Sequence, residues 1–391
     1  MSNAQYRTNM CEHEPFYFNV KTKNGKPIIH NGSNTAHTHI MMTSVNLMKR
    51  CNRPGVIHVD GTYSLIKNRF PVFVIGITDI DGQFFPIAFC ITSNEKEIDY
   101  LEFFNGVKKQ AKLMNIRFKP EYIMLDAASA GFNAAEKSFP DSEILMCYFH
   151  VKLNIKKKCK EILGKKLMKK QWFKLNDDVS TLHYSSSQEN FKSRWNLFKK
   201  KYKLSHFIIY NYIKSQWVDS RFCKWFVFNN KPGYANTNSP IESYNATIKR
   251  DFFERVKRSV YGAVQKLSQI IAYESLKNPV FNTMPSFDKT LNKQAEKYKS
   301  SYFKQLDSKT VRVKDEHDFF ILNLKAQSCS CSGYLKKAIC VHALGYSHLH
   351  DLDWYAPEYK VSQFVFKTKK GAPKGCRSKK MAKALHNSFS D

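Results

Sequence analysis

The sequence predicts an α/β protein built on a mixed β-sheet. Three strand-like runs follow one another, "VIHVDGTYSL", "FPVFVIGITDI" and "QFFPIAFCIT", and the last two are joined at Asp81-Gly82, a dipeptide typical of tight hairpins. Helix-like and strand-like segments then alternate along the chain. This β-β-β-α-β-α-β-α order indicates three antiparallel strands followed by strands that are added in parallel.

The elements after these three strands are predicted from periodicity. The segment "EKEIDYLEFFNGVKKQAKLM" repeats apolar residues at helical spacing. It is followed by a strand in "PEYIMLD", a helix in "SAGFNAAEKSF", a strand in "SEILMCYFH" and a helix in "VKLNIKKKCKEIL". A further long helix begins near Ser239. We therefore expect a five-stranded mixed sheet within residues 51–275, of which residues 151–220 are mostly helical.

Four other segments flank this region. Residues 1–50 are polar, contain turn signals and are predicted to form an N-terminal segment. Residues 276–308 are predicted to be a connector, residues 309–350 a small zinc-binding unit, and residues 351–391 a basic tail. The tail contains "FKTKKGAPKGCRSKK", which has no acidic residue, so we expect the free tail to be disordered.

The charge balance favours a polyanionic partner. The chain has 391 residues, with 63 Lys and Arg against 33 Asp and Glu, and a formal net charge of +30. A neutral metabolic enzyme does not need this excess, whereas each basic side chain near a phosphate releases counterions. A Lys-rich proteome is the alternative explanation. Basic and aromatic residues interleave in "KKQWFK" and "RWNLFKKKYK", which suits either a DNA-tracking surface or a helical bundle with an aromatic core.

The sequence predicts neither a membrane protein nor a secreted one. No run of 18 or more apolar residues is found, and the first residues lack the apolar core of a signal peptide. Most of the ten cysteines are scattered along the chain. We therefore expect a reducing compartment, in which clustered cysteines bind metal rather than form disulfides.

Two aspartates are candidates for catalysis. Asp60 lies within an apolar strand, where a carboxylate is costly. Asp126 closes the fourth predicted strand, at the end where open α/β sheets place their ligands. If these strands are neighbours, the carboxylates meet, and Mg²⁺ or Mn²⁺ would relieve their repulsion. The alternative is turn or strand-end chemistry, which we assign to Asp79, Asp81 and Asp99.

Glu242, in "TNSPIESYNATIKRDFF", is the third candidate. Ser239 is a good N-cap, Pro240 suits the first helical position, and Glu242 falls three residues after the cap, which is the spacing of a capping box. Glu242, Asn245 and Lys249 also share one face of the helix, and this polar face can line a metal-binding cleft. The spacing supports local capping and catalysis equally.

A complete set of zinc ligands lies near the C-terminal end. In "CSCSGYLKKAICVH", Cys329-x-Cys331 is followed after eight residues by Cys340-x-His342. Three thiolates and one imidazole fill a tetrahedral site, so the predicted zinc is structural rather than catalytic.

Four segments, in this order, resemble the Mutator-like (MULE) transposases over roughly residues 54–260: "HVDGTYSL", "IMLDAASAG", "CYFHVKLNIKKK" and "TNSPIESYNATIKRDF". Members of this family have an RNase H-like catalytic fold with a DDE triad. The resemblance implies that Asp60, Asp126 and Glu242 bind catalytic Mg²⁺ or Mn²⁺ in a two-metal site. It also implies that residues at about 151–235 form an all-helical insertion between the second Asp and the Glu. Family members often follow the second Asp with polar or acidic residues, whereas Ala127 and Ala128 follow it here.

Two further motifs bear on the resemblance. The cysteine group matches the SWIM zinc finger, which follows the catalytic domain in this family. Cys147 and His150 match a Cys-x-x-His pair of the family near the active site, and we favour a structural or phosphate-contacting role because a closed zinc site needs four ligands. Members often carry a separate N-terminal zinc domain. The residues that such a domain would need lie at no convincing zinc spacing: Cys11, His13, His37, His39 and Cys51.

The implied function is metal-dependent DNA cleavage and strand transfer, carried out in the nucleus by a homo-oligomer on element ends and target DNA. Three alternatives remain open: a transposase-derived transcriptional regulator that binds DNA without catalysis, a related nuclease, and a zinc-containing interaction module. The lysines predicted to contact DNA are Lys156, Lys157, Lys158, Lys249, Lys369, Lys370, Lys379 and Lys380.

Overall fold

The structure, a computed structural model, describes residues 5–24, 26–286, 289–315, 318–352 and 354–355, with the backbone alone for residues 26–27 and 165–170. Lys369, Lys370, Lys379 and Lys380 and most of the predicted basic tail lie outside these residues. Within the described ranges, no helix combines the length and apolar character needed to cross a lipid bilayer.

The elements follow one another in chain order. The strands are β1 (Phe16–Phe18), β2 (Thr22–Lys23), β3 (Lys26–Pro27), β4 (His39–Thr43), β5 (Val56–Thr62), β6 (Val72–Thr78), β7 (Phe84–Thr92), β8 (Tyr122–Leu125), β9 (Glu143–Met146), β10 (Phe303–Gln305), β11 (Thr310–Asp315), β12 (Asp318–Asn323) and β13 (Ser328–Cys329). The α-helices are α1 (Val45–Lys49), α2 (Glu97–Leu113), α3 (Ser129–Ser138), α4 (Tyr148–His183), α5 (Gln188–Tyr202), α6 (Phe207–Ile213), α7 (Ser239–Thr247), α8 (Val260–Leu276), α9 (Lys289–Ala295), α10 (Ser332–Lys337) and α11 (Val341–Leu349). Short 3₁₀ segments lie at Arg50–Asn52, Val227–Asn229 and Ser300–Tyr302, and π-helical turns at Lys214–Val218 and Ile248–Phe252.

A seven-stranded mixed sheet has the strand order β1-β4-β7-β6-β5-β8-β9. β5, β6 and β7 form the predicted antiparallel meander, and Gly82 adopts a φ of 76° in the turn between β6 and β7. β8 pairs in parallel with β5, and β9 pairs in parallel with β8. The prediction that the strands carrying Asp60 and preceding Asp126 are neighbours is therefore confirmed.

The prediction of a five-stranded sheet is wrong, because two strands from the N-terminal segment extend it. β4 pairs antiparallel with β7, and β1 pairs antiparallel with β4. β1 has three residues, and β4 has the sequence HIMMT, of which all but the first residue are buried. Strands this short have no clear periodicity of their own. They are stabilised by pairing with the edge of β7, which lies far away in the sequence.

The two faces of the sheet bury separate apolar clusters. On one face, Ile57 and Val59 of β5 pack with residues of α2 and α3. On the other face, Val72 and Val74 of β6 pack with residues of α7 and α8. Because both faces are covered, all seven residues of β6 are buried. This second layer holds α7 across the face of the sheet on which the candidate site lies.

The region predicted to be a helical insertion is largely helical. α4 contains a kink at Gly164, which has a φ of 71°. At the end of α4, the ring of His183 stacks on that of Tyr148 with centroids 3.6 Å apart. His183 Nδ1 also donates to the carbonyl of Trp225 at 2.6 Å. These contacts tie both ends of the helix together, and aromatic residues such as Phe198 are buried as core, as the bundle interpretation predicts.

A four-stranded sheet, β10-β11-β12-β13, lies in the C-terminal part and leads into α10 and α11. Its first strand, β10, lies within the residues predicted to be a connector. Val311, Val313 and Leu322 form the centre of a separate apolar cluster in this unit. The unit contacts the rest of the molecule where the N–H of Gly233 donates to the carbonyl of Leu335 at 3.1 Å.

Candidate functional site

Asp60 and Asp126 lie at the same edge of the sheet. The parallel pairing of β5 with β8 places His58 opposite Met124. Asp60 lies two residues after His58 within β5, and Asp126 directly follows β8, so the two aspartates lie at the same end of this parallel pair, where their carboxylates repel one another. The pKa of Asp60 is raised to about 6, chiefly by burial and in addition by repulsion from the carboxylates of Asp126 and Glu242, while the hydrogen bond from Asn245 opposes the rise.

Helix α7 contacts Asp60 directly. Asn245 Nδ2 donates to Asp60 Oδ2 at 2.8 Å, and the side chain of Asn245 is buried. Ile241 and Ile248 anchor the other face of the helix in the apolar cluster beneath it. The predicted division of this helix into a polar and an apolar face is therefore confirmed, and the polar face looks onto the strand that carries Asp60.

The start of α7 differs from the prediction. The N-cap is Asn238 rather than Ser239, and no side-chain capping bond forms there. The side chain of Asn238 is used elsewhere: its Oδ1 accepts from His58 Nδ1 at 2.9 Å, while His58 Nε2 is 2.9 Å from Thr78 Oγ1. Burial lowers the pKa of His58 to about 4, so the ring is neutral and donates from Nδ1 while it accepts at Nε2. Sequence reasoning missed this histidine, although it lies two residues before Asp60.

Glu242 does not form the capping box that its spacing suggests. Its Oε1 is buried and has no hydrogen-bond partner among the described residues. The imidazole of His150 lies close to it, with Nε2 3.7 Å from Glu242 Oε1. Cys147 accepts the N–H of Asn238 at 3.1 Å, and the ligand atoms of Cys147, His150 and Glu242 lie within 4.8 Å of one another. The Cys-x-x-His pair is thus adjacent to the start of α7 and to its glutamate.

The three carboxylates do not form an equally tight cluster. Among the described residues, the oxygens of Asp60, Asp126 and Glu242 are not all within 4.8 Å of one another. Three like charges repel, and at Asp60 the hydrogen bond from Asn245 and the proximity of His150 offset part of this repulsion. Glu242 accordingly faces His150 in this structure.

A fourth carboxylate, which the sequence analysis did not single out, lies beside the two aspartates. Glu95 Oε1 occupies the space over Gly61, where an added Cβ would lie 2.9 Å from it. The hydroxyls of Tyr63 and Tyr100 donate to the Glu95 carboxylate, that of Tyr100 at 2.8 Å. Burial raises the pKa of Glu95, and Asp126 and Asp60 add to this effect. Gly61, which follows Asp60, was the sequence feature that could have indicated this contact, because a glycine leaves space for a side chain from another part of the chain.

Replacing Asp60 by asparagine is expected to stabilise the metal-free protein above about pH 6. The folded-state pKa of about 6 lies above the ordinary value of 3.8. Protonation of Asp60 therefore stabilises the fold below about pH 4, and this stability is lost as the pH rises through about 6. The shift is worth about 1–3 kcal/mol. Calorimetry without Mg²⁺ or Mn²⁺ should give Asp60→Asn a higher melting temperature near neutral pH but not near pH 4.

Asp141→Asn is the control for this measurement, because that carboxylate is 70% exposed and pairs only with Lys119 at the surface. It should change the melting temperature little at either pH. An Asp60→Asn effect of the same size at both pH values would contradict the electrostatic explanation.

The four predicted zinc ligands are brought together. The three Sγ atoms and a ring nitrogen of His342 lie within 4.8 Å of one another, and all four residues are buried: Cys329, Cys331, Cys340 and His342. Cys329 Sγ is 3.6 Å from His342 Nδ1. Hydrogen bonds from Cys329 and Cys340 lower the pKa of Cys331, which favours the thiolate form that binds metals. This group fits a zinc site.

The surroundings of these ligands fit zinc as well. His342 Nε2 donates to Asp315 Oδ2 at 3.0 Å, so Nδ1 is the nitrogen that faces the sulfurs. Tyr298 donates in turn to Asp315 Oδ1 at 2.9 Å. A carboxylate behind a ligating histidine is typical of zinc sites. Backbone N–H groups of Tyr334 and Ala343 donate to two of the sulfurs at 3.3 and 3.4 Å.

Of the predicted DNA-contacting lysines, Lys249 lies nearest the candidate site along the chain. It lines a surface cavity of about 320 Å³ together with Arg250 and Arg255. Ser64, shortly after the end of β5, lines the same cavity. A basic surface therefore lies where the strand that carries Asp60 reaches the exterior.

The other described lysines lie on α4. Lys156 and Lys157 are exposed, and Lys156 Nζ lies 5.6 Å from the ring centroid of Trp172. Lys158 pairs with Glu161 at 3.0 Å. These side chains form part of a solvent-facing basic surface, and none of them lies in the carboxylate cleft.

The segment that contains both aspartates and the Cys-x-x-His pair corresponds to a known domain. Residues 56–154 match the family model of the MULE transposase domain. The match covers about a quarter of the chain and ends before Glu242 and before the cysteine group. Comparison with curated proteins gives no match. The MULE resemblance is therefore supported over the part of the sheet that carries Asp60 and Asp126.

Proposed function

We propose that this protein is a DNA transposase of the Mutator-like type, which cleaves and transfers DNA strands with divalent cations held by Asp60, Asp126 and Glu242. One observation carries the proposal. Within a segment that matches the MULE transposase domain, one aspartate lies in β5 and the other directly follows β8, its parallel neighbour, and an asparagine of helix α7 donates to the first of them. That helix also supplies the glutamate.

The acidic residues fit Mg²⁺ or Mn²⁺. Carboxylate oxygens are the preferred ligands of both ions. Burial and repulsion from Asp126 and Glu242 raise the pKa of Asp60, and a cation would relieve the repulsion. The buried Oε1 of Glu242 has no hydrogen-bond partner among the described residues that a cation would have to displace. Bound there, the cations would stabilise the charge that develops on the attacking and leaving oxygens of a phosphodiester.

The side chains around the acids position them. Asn245 fixes the orientation of the Asp60 carboxylate, and His58 holds Asn238 at the start of the helix that carries Glu242. His150, whose Nε2 lies 3.7 Å from Glu242, is proposed to contact a DNA phosphate. Attack of water would break the P–O3′ bond and leave a 3′-hydroxyl and a 5′-phosphate. That 3′-hydroxyl would then attack a phosphodiester of the target strand and displace the 3′-oxygen of the target. The protein contributes alignment and charge rather than covalent chemistry.

The rest of the chain is proposed to bind DNA. Lys249, with Arg250 and Arg255, would contact phosphates beside the cleft, and Lys156 and Lys157 would extend this contact along α4. The cysteine group is proposed to be a SWIM-type finger with a structural zinc. In this proposal the sheet is RNase H-like, and the protein acts as a homo-oligomer on DNA in the nucleus.

Two DNA substrates test the function. The first is supercoiled plasmid with Mn²⁺, on which the wild-type protein is expected to introduce nicks. The second is a labelled terminal-repeat duplex with a free 3′-hydroxyl, which is expected to become joined to the plasmid. Nicking without joining would identify a nuclease instead. DNA binding without either reaction would identify a non-catalytic regulator.

Replacing Asn245 by alanine is expected to reduce strand cleavage by about 10–100-fold, the usual effect of removing a group that orients a metal ligand. The loss of its hydrogen bond to Asp60 leaves that carboxylate free to rotate. The reduction should shrink as Mn²⁺ is raised, because the defect is in metal binding. Thr247→Ala is the matched control, since Thr247 lies on the same helix and bonds only to the carbonyl of Ser243. Equal cleavage rates of the two variants would show that Asn245 does not orient Asp60 for metal binding.

A further inference from the structure

A second cluster of metal-binding side chains lies away from the carboxylate cleft, where the N-terminal strand β4 meets helix α2. His37 Nδ1, His39 Nε2 and an oxygen of Asp99 lie within 4.8 Å of one another. Each of these two nitrogens is 2.7 Å from Asp99 Oδ1. The side chain of Asp99 is 0% exposed, and those of His37 and His39 are 10% and 15% exposed.

The fold explains why these residues meet. His37 and His39 are two residues apart in extended chain, so both rings project to the same side. Pairing of β4 with β7 sets His39 opposite Thr92, and α2 begins shortly after β7 ends. Asp99 lies in the first turn of α2, where its Oδ2 accepts the N–H of Lys96 at 2.8 Å. The helix start therefore holds Oδ1 rigidly toward the two imidazoles.

The two ring nitrogens of His37 face different partners. Its Nδ1 faces the Asp99 carboxylate at 2.7 Å, and its Nε2 faces the carbonyl oxygen of Asn34 at 3.1 Å. A neutral imidazole carries a single N–H, so with a cation at Nδ1 that N–H lies at Nε2 and donates to the carbonyl. In metal sites the ring nitrogen that does not bind the metal commonly donates to a backbone carbonyl, which is the arrangement of Nε2 here.

The cluster is accessible from a cavity. His37 and His39 line a cavity of about 380 Å³, together with Asn34, Lys96 and other residues of this corner. Two imidazoles and one carboxylate are a ligand set that zinc uses when a fourth position stays open. Tetrahedral bonds of about 2.0–2.2 Å separate ligand atoms by about 3.4 Å, so the rings need to move by less than about 1 Å.

We propose that His37, His39 and Asp99 bind a divalent transition-metal ion of the zinc class, with the fourth coordination position facing this cavity. The ion would join the N-terminal strand to helix α2, in addition to the backbone pairing of β4 with β7. The site is separate from the cysteine group and from the three carboxylates, and it does not depend on the proposed catalytic function.

Zinc content of the full-length protein tests the proposal. After dialysis against zinc-free buffer with millimolar Mg²⁺, which competes with zinc for carboxylate ligands, the wild type is expected to retain two zinc ions per chain. The double variant His37→Gln/His39→Gln should retain one, and so should Cys329→Ser/Cys331→Ser. Glutamine still donates to Asp99, so the change removes the metal ligands while it preserves a hydrogen bond. Asp99 itself is left unchanged, because it also caps α2.

His30→Gln is the matched control, because His30 lines the same cavity but does not belong to the cluster. It should retain two zinc ions. Cobalt substitution of the Cys329→Ser/Cys331→Ser variant should give d–d bands without sulfur charge-transfer absorption, a readout that does not need the histidine variant to fold. One zinc ion in the wild type, or no cobalt bound by the cysteine variant, would overturn the proposal. In that case Asp99 only forms hydrogen bonds with His37 and His39.

Discussion

Asp60→Asn, Asp126→Asn and Glu242→Gln are each expected to lower Mn²⁺-dependent strand cleavage by about 10³-fold or more, or about 4 kcal/mol of transition-state stabilisation. Each change removes one negative ligand from a site in which cations offset the charge on the reacting oxygens. The measurement is the initial rate of nicking of supercoiled plasmid. Combining two of the changes should cost little more than one, because residues that act as a unit are not additive.

Two controls separate this effect from unfolding. Asp141→Asn removes a carboxylate that is 70% exposed and lies outside the cleft, and it should cleave like the wild type. Asp60→Asn itself is expected to be more stable than the wild type near neutral pH without Mg²⁺ or Mn²⁺, so its loss of activity cannot come from a weaker fold. If all three acidic variants keep wild-type cleavage, the nicking belongs to a contaminant or to another site.

The second large effect is expected from loss of zinc at the cysteine group. Cys340→Ser, or removal of zinc by a chelator, should unfold residues 309–350. The sheet of this unit is small, and zinc binding supplies about 10–16 kcal/mol in comparable fingers, which exceeds what so small a core provides. Limited proteolysis should then cut within this segment, while the seven-stranded sheet stays resistant because its apolar clusters are separate.

Cys11→Ser is the control for this experiment, since Cys11 is exposed and lies outside the cysteine group. It should leave both the zinc content and the protease pattern unchanged. Unaltered resistance of residues 309–350 after complete removal of zinc would contradict a structural role for the metal.

Much of the central sheet follows from local pattern. The apolar runs at β5, β6 and β7, the Asp-Gly turn between β6 and β7, and the alternation of helices and strands up to α4 are all present as predicted. Parallel pairing of β5 with β8 follows from this order, and it brings Asp60 and Asp126 to the same end of the two strands. Cys329, Cys331, Cys340 and His342 converge because short spacings leave their ligand atoms little freedom.

The structural features that the sequence analysis did not predict correctly share one physical cause. β1 and β4 are too short to show a period, and they form because β7 offers an unpaired edge. Asn238 rather than Ser239 occupies the helix cap, and its side chain bonds to a buried histidine far away along the chain. In each case the deciding partner is distant in sequence, so no local pattern contains it.

By itself, the sequence determined which strands and helices form the central region, which acids sit at the ends of its parallel strands, and which four residues can hold zinc. These features depend on periodicity, on turn chemistry and on ligands a few residues apart. The tertiary structure alone decided that Asn245 orients Asp60, that Glu95 fills the space over Gly61, and that Asp99 meets His37 and His39. Those contacts join residues that only the folded sheet and its covering helices bring within bonding distance.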